Sequence, residues 1–126
     1  MYSKDQKYAD FIENLINNFN FEPVTVKFLT EESNLPNKKL LELLHVLKGQ
    51  DKVIEIADGM WSSHLKIEEI IADLKQYFAK SDDLSVVQFK DITGLTRKSA
   101  IPLLEFFDRQ KITSRNGNIR QKGEKL

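Results

Sequence analysis

The sequence of 126 residues contains no cysteine, and it has only five glycines and three prolines. The absence of cysteine excludes disulfides, thiolate metal sites and a cysteine nucleophile, and it agrees with a reducing, cytoplasmic setting. No apolar run approaches the ~20 residues that a membrane-spanning helix needs. The first ten residues, MYSKDQKYAD, lack the basic and then apolar pattern of a signal peptide. We therefore expect a cytoplasmic protein that does not enter a membrane.

The chain also has no net charge, because 19 basic and 19 acidic residues cancel. Residues 1–63 hold seven lysines and ten acidic residues, a net charge of −3. Residues 64–126 hold eight lysines, four arginines and nine acidic residues, a net charge of +3. All the arginines lie in the stretch 95–126. The neutral total therefore conceals an acidic half and a basic half.

A repeat of about sixty residues organises the chain. VKFLTEESNLPNKK (26–39) aligns with VVQFKDITGLTRKS (86–99), and LLELLHVLK (40–48) aligns with AIPLLEFFD (100–108). Before these segments, each half opens with an apolar stripe at helical spacing. The stripe of the first half is Tyr8, Phe11, Ile12, Leu15, Ile16 and Phe19, and that of the second is Ile67, Ile70, Ile71, Leu74 and Phe78.

Each half ends with a β-prone run and a turn dipeptide, Asp58-Gly59 or Asn116-Gly117. These dipeptides favour type I′ hairpin turns, which need positive φ at both central residues. The order helix, short helix, helix, hairpin is that of a winged helix. We therefore predict a mainly α fold with small β-hairpins (α+β) and two tandem winged-helix domains, residues 1–63 and 64–126. The alternative is that both units serve only as spacers.

Three residues carry predictions about the longest apolar helices. Pro36 is expected near the first position of the helix that follows it, where its missing N–H costs nothing. Thr96 is expected to cap the corresponding helix of the second half. Pro102 falls inside that helix and removes a backbone hydrogen bond, which predicts a bend or a loosened first turn near residues 98–99.

Signals of catalysis are weak. The glycines match neither a phosphate-binding loop nor a dinucleotide fingerprint. His45 and His64 are single, without the spacing of a metal site, and both are predicted to be structural. We therefore predict no catalytic residues, no metal site and no enzymatic activity.

The basic residues of the second half are predicted to gather on a helix start and on the wing. Arg97 and Lys98 begin a helix, where free N–H groups also favour an anion, and Arg115 and Arg120 flank the turn of the wing. The planar guanidinium fork suits phosphate or a guanine edge. If one unit binds nucleic acid, we predict that it is the second, the alternative being a merely solvated hairpin tip. The candidate residues are Arg97, Lys98, Ser99, Arg109, Arg115, Asn116, Gly117, Asn118, Arg120 and Lys122.

Residues 89–120 resemble the last winged-helix repeat of bacterial selenocysteine-specific elongation factors, the SelB family. The resemblance is carried by Thr96-Arg97-Lys98, by PLLEFFDR (102–109) and by TSRNGNIR (113–120). It implies that the chain corresponds to the last two of four winged helices that follow a GTPase. It further implies that the final winged helix binds the selenocysteine insertion (SECIS) hairpin of mRNA to support UGA recoding, while the preceding one acts as a spacer.

The resemblance also implies the partners and cofactors. The SECIS hairpin is the direct partner, the ribosome and selenocysteinyl-tRNA are partners of the full-length factor, and the chain is expected to be a monomer. GTP and magnesium belong to the missing N-terminal part, so no cofactor is expected here. Two alternatives stay open, a winged-helix DNA-binding transcriptional regulator and a protein-interaction module with Met60 and Trp61 as contact residues.

Duplex RNA has a deep, narrow major groove that side chains do not read. A winged helix that binds an RNA hairpin should therefore read bases of the loop or of a bulge. We expect the start of the last long helix and the wing to hold the backbone while an unpaired base enters the gap between them.

Overall fold

The computed structural model describes residues 4–18 and 22–126, and its contacts divide the chain into two compact units, Met1–Lys66 and Ile67–Leu126. Phe19, expected on the first apolar stripe, lies outside the described residues. The first unit contains α1 (Lys4–Asn17), β1 (Val24–Thr25), α2 (Val26–Ser33), α3 (Asn37–Gly49), β2 (Val53–Ala57) and β3 (Met60–Ser63). After it come α4 (His64–Phe78), β4 (Leu84–Ser85), α5 (Val86–Thr93), α6 (Arg97–Arg109), β5 (Thr113–Asn116) and β6 (Ile119–Lys122). The unit boundary falls within the first turn of α4, whereas the sequence placed it after residue 63.

Each unit has one small antiparallel sheet, with the strand orders β1-β3-β2 and β4-β6-β5. The outer strands β1 and β4 have two residues each and were not predicted from the sequence. Their registers are equivalent, since Val24 pairs with Trp61 and Leu84 pairs with Arg120. The predicted mainly α fold with tandem winged helices is confirmed, and each wing is the hairpin of such a sheet, β2–β3 or β5–β6.

The prediction of type I′ turns at the wing tips is wrong. In the second unit Asn116 pairs with Ile119, so Gly117 and Asn118 are the central residues of the turn. Of these two, only Gly117 has positive φ, at 65°, which is the pattern of a type II′ turn. In the first unit only Gly59 of the turn has positive φ, and a bulge precedes it. In the second unit strand pairing shifts the turn by one residue relative to the dipeptide, whereas in the first unit Ala57 pairs with Met60 and the dipeptide Asp58-Gly59 stays central.

Side-chain caps fix where the short helices begin. Thr25 accepts a hydrogen bond from the Phe28 N–H at the start of α2. Ser85 and Gln88 form a reciprocal capping box at the start of α5. Thr96 occupies the predicted N-cap of α6 but makes no side-chain cap bond.

The two prolines of the long helices also take positions close to those predicted. Pro36 is the N-cap of α3, one residue before the predicted place. The α6 helix continues through Pro102, and the Ala100 N–H donates to the Thr96 carbonyl at 2.8 Å. The first turn of α6 is therefore closed, which corrects the prediction of a loosened turn. A bend at Pro102 stays a prediction.

Each unit has its own apolar core. In the first unit α1, α3 and β3 contribute fully buried side chains such as Ile12, Leu44 and Trp61. The core of the second unit includes Phe89 of α5 and Phe107 of α6, whose rings meet edge to face at 6.3 Å. These cores fix α3 and α6 against their wings and so determine what the exposed faces can form.

Candidate nucleic-acid interface

A groove of about 390 Å³ lies in the second unit between α6, the start of α5 and the wing. Arg97 is the first residue of α6, and Ile101 and Glu105 follow it at helical i+4 spacing, so the three share one helix face. The groove is lined by Ser85, Val86, Val87, Arg97, Ile101, Glu105, Arg115, Asn118 and Arg120. The helix start and the wing predicted from sequence therefore do meet around one cavity.

The two wing arginines of the groove occupy opposite positions on neighbouring strands. Arg115 of β5 pairs in register with Arg120 of β6, which places both side chains on the same sheet face. Arg115 is exposed, and its Nε donates to the Gly117 carbonyl at 3.1 Å, which anchors the guanidinium at the tip of the wing. Its terminal nitrogens remain available to an anion.

Arg120 has a different environment, because its side chain is only 4% exposed. Its Nε and Nη2 donate to Oδ2 of Asp108 at 3.3 and 3.1 Å. The other Asp108 oxygen accepts a 2.6 Å hydrogen bond from the Thr113 hydroxyl. One carboxylate of α6 thus holds both strands of the wing. Most of the Arg120 guanidinium already serves this internal pair, so its role as a phosphate ligand stays a prediction that the pair disfavours.

The other predicted residues are distributed more widely. Lys98 is exposed beside Arg97, and Asn116 and Gly117 are exposed at the wing tip, but none of these three lines the groove. Ser99 is buried, with 4% of its surface exposed, and it does not line the groove, so its role in RNA binding stays a prediction that burial disfavours. It occupies the face of α6 that packs into the core.

Arg109 and Lys122 lie away from the groove. Arg109 is the last residue of α6, about 18 Å along the axis from Arg97 at ~1.5 Å per residue. Lys122 lines a second cavity of about 430 Å³ together with Lys111 and Arg115. The structure therefore brings together Arg97, Arg115, Asn118 and Arg120 and leaves the remaining candidates outside.

Sequence reasoning missed the non-cationic lining of the groove. Glu105 is the acidic member, and Val87 is a large apolar residue with 63% of its surface exposed. Helical spacing could have indicated Ile101 and Glu105, because they follow Arg97 by four and eight residues and therefore share its helix face. No pattern in the sequence indicated Val87, because the exposure of this residue depends on tertiary packing.

The first unit contains no arginine, so it lacks counterparts of the three arginines that line the groove. Trp61 stands at the register position of Arg120 and is 1% exposed, which argues against it as a contact residue of the alternative protein-interaction module. The exposed ring of His45 meets it edge to face at 6.0 Å, which agrees with a structural role for this histidine. The Nε1 of Trp61 is buried and has no hydrogen-bond partner in the part of the chain that the structure describes.

Two other kinds of site are absent from residues 4–18 and 22–126. No group of three or more His, Asp or Glu side chains is placed there to hold a metal ion. No helix in these ranges has the length and apolar character needed to cross a membrane.

Two wings with short outer strands, each packed against a long helix, define a tandem winged-helix protein. Residues 76–121 match the family model described as "Elongation factor SelB, winged helix". A curated relative, the selenocysteine-specific elongation factor of Desulfomicrobium baculatum, is 33% identical over 99 residues, which cover 79% of this chain and 16% of the relative. The chain thus spans about a sixth of the length of that relative.

Two solved structures agree with this match. The mRNA-binding domain of elongation factor SelB from E. coli, solved in complex with SECIS RNA, superposes with a TM-score of 0.76 and 28% identity, covering 98% of this chain and 100% of that chain. A bacterial selenocysteine-specific elongation factor, EF-Sec, gives the same TM-score at 24% identity, covering 97% of this chain and 19% of that chain, and supports the fold alone. These comparisons confirm the resemblance to the SelB family that was found in the sequence.

Proposed function

We propose that the chain binds a SECIS-type mRNA hairpin through the groove of its second unit. The observation that carries the proposal is the convergence of Arg97 and Arg115, two exposed arginines from different elements, on one cavity whose lining also includes Val87 and Ile101. The E. coli structure supports it, because that relative binds SECIS RNA and is similar over nearly the whole of this chain. In the proposed complex the two arginines hold phosphates on either side of an unpaired base.

The chemistry of the groove suits single-stranded RNA better than a duplex. Bidentate guanidinium groups at the rim match phosphate oxygens. Val87 and Ile101 offer apolar contact to the face of an unpaired base. Bases that are splayed from a loop or a bulge are the elements that RNA-binding proteins read in sequence-specific fashion. These features of the groove favour the binding of a hairpin with an unpaired base.

The first test is a comparison of RNA affinities. Arg97→Ala and Arg115→Ala are each expected to weaken binding of a SECIS hairpin by about 1–3 kcal/mol, because each removes a charge-assisted phosphate contact. Gel shifts or fluorescence anisotropy with a SECIS hairpin, a scrambled hairpin and duplex DNA provide the measurement. Lys80→Ala is the matched control, since Lys80 is exposed in the same unit but does not line the groove.

Unchanged affinity in both arginine variants would show that the wing and the helix start do not hold RNA. A preference for duplex DNA over the hairpin would favour a transcriptional regulator instead. Salt dependence adds an independent check, because each phosphate contact that is lost should flatten the slope of log affinity against log salt by about one unit.

The wider role of the chain rests on its relatives. We propose that it acts within a longer cytoplasmic factor, in which the remaining parts carry GTP, magnesium, selenocysteinyl-tRNA and the contact with the ribosome. The curated relative supports this, because the chain matches only 16% of that protein. In this arrangement the second unit tethers the factor to the message, and the first unit acts as a spacer.

A further inference from the structure

Glu105 is the acidic residue among the side chains that line the groove, whose other charged members are arginines. It lies two helical turns after Arg97 on the same face of α6. A carboxylate repels phosphate, so it works against a groove that serves only the RNA backbone. Its position therefore requires an explanation other than general attraction to RNA.

The Glu105 side chain forms no hydrogen bond or ion pair with the described residues of the protein. The natural candidate for such a pair is Arg120, which also lines the groove. Arg120 donates to Asp108 instead, about one helical turn further along α6. The carboxylate of Glu105 is therefore left for a ligand.

The first unit shows the same two positions in another use. By the repeat, Glu105 corresponds to His45, and by strand register Arg120 corresponds to Trp61. His45 and Trp61 contact each other edge to face at 6.0 Å. In the first unit the residues at these two positions pack against each other. In the second unit Arg120 instead pairs with Asp108, and Glu105 has no partner among the described residues.

An ionised carboxylate is an acceptor with two oxygens. Among the Watson–Crick edges of the four bases, that of guanine presents two adjacent donors, N1–H and N2–H. The corresponding edges of uracil, cytosine and adenine place a carbonyl or ring-nitrogen acceptor beside a donor, which a carboxylate repels. The apolar residues Val87 and Ile101 can contact the face of such a base.

We propose that Glu105 determines the base specificity of the groove by accepting both hydrogen bonds from an unpaired guanine. This inference rests on the proposed function, because it requires a hairpin RNA in the groove. Arg97 and Arg115 hold the flanking phosphates, and Glu105 keeps a phosphate from occupying the place of the base. The groove then binds the RNA backbone at one set of residues and recognises the unpaired base at another.

The test uses the full chain and a pool of RNA stem-loops whose loop and bulge positions are randomised. The wild-type protein is expected to enrich hairpins that carry guanine at one unpaired position. Glu105→Gln is expected to lose that preference and to bind the unselected pool more tightly, because it removes a negative charge from the groove. Glu124→Gln removes the same charge outside the groove, where Glu124 pairs with Lys111 at 3.1 Å, and it should retain the preference.

A second measurement isolates the contact. In the enriched hairpin the selected guanine is replaced by inosine, which lacks the N2 amino group. The wild-type protein and Glu124→Gln should then lose about tenfold in affinity, a loss that is about 1.4 kcal/mol. Glu105→Gln should lose less than twofold, since its amide no longer accepts both donors. Glu105 is exposed, so the melting temperature of the variant serves as a check that the fold is intact.

Each result has a distinct meaning. If the wild-type protein binds hairpins but shows no guanine preference, or if the inosine penalty persists in Glu105→Gln, the role of Glu105 is overturned while RNA binding stands. If the wild-type protein binds no hairpin better than duplex DNA, the proposed function itself fails, and the inference fails with it.

Discussion

At the residue scale, Arg120 occupies in the second unit the register position that Trp61 occupies in the first. Both are buried, Trp61 at 1% and Arg120 at 3% exposed. A buried guanidinium needs a counter-charge, because an unpaired ion in an apolar site costs several kcal/mol. Asp108 supplies that charge at the position where the first unit has Lys48. The pair therefore belongs to the specialisation of the second unit.

The second core also compensates in volume for the missing tryptophan. By the repeat, Phe89 and Phe107 stand where the first unit has Leu29 and Leu47, and all four side chains are fully buried. Two aromatic rings on α5 and α6 therefore add volume to the second core, which has no tryptophan.

The Asp108 pair makes a prediction about stability. Asp108→Ala is expected to lower the free energy of unfolding by about 3 kcal/mol, because it leaves the Arg120 guanidinium buried without its partner. Chemical denaturation followed by circular dichroism measures the change. Glu124→Ala is the control, since it breaks an exposed ion pair and should cost no more than about 1 kcal/mol. Equal effects in the two variants would contradict a special role for Asp108.

The sequence was sufficient to assign the arginines to the second unit, but it did not show which of them are exposed and which are buried. Arg97 and Arg120 look alike in the sequence, yet one is exposed and the other is buried against Asp108. That difference depends on strand register, which a local pattern does not encode. The burial of Ser99 was not predicted for a related reason, since the packing of α6 determines which of its faces is buried.

At the scale of elements, the helices followed from periodicity. The starts of α2 and α5 are set by the caps Thr25 and Ser85, which were not among the predictions. The strands β1 and β4 were missed because two residues show no alternation, and their partners lie far along the chain.

The wing turn makes a second prediction about stability. Gly117 has φ at 65°, and no atom lies within 4 Å of the place that a Cβ would take, so substitution by alanine costs conformational strain but no steric clash. Gly117→Ala is expected to destabilise the protein by about 1 kcal/mol. Gly49→Ala is the control, because Gly49 ends α3 without positive φ and its substitution should be neutral or stabilising. Thermal unfolding distinguishes the two, and an equal melting temperature for both variants would argue against the turn assignment.

At the scale of the whole molecule, the charge difference between the halves predicts a division of function. Lys38 and Lys98 occupy corresponding positions near the starts of α3 and α6, and both are exposed. Lys98→Ala is expected to weaken hairpin binding by about threefold, through loss of a positive charge beside Arg97. Lys38→Ala should leave the affinity unchanged. Anisotropy titrations at one fixed salt concentration make the comparison, and equal losses would show that both units touch RNA.

The burial of Trp61 has a consequence for spectroscopy. It is the sole tryptophan of the chain, and it lies in the core of the first unit. Its fluorescence emission therefore reports on the unit that carries the acidic charge, while the second unit contributes no indole signal. An RNA base cannot stack on this indole, because the indole is buried. The tryptophan emission can therefore serve as an internal reference while RNA is titrated against the groove. Unfolding of the first core shifts the same signal to longer wavelength.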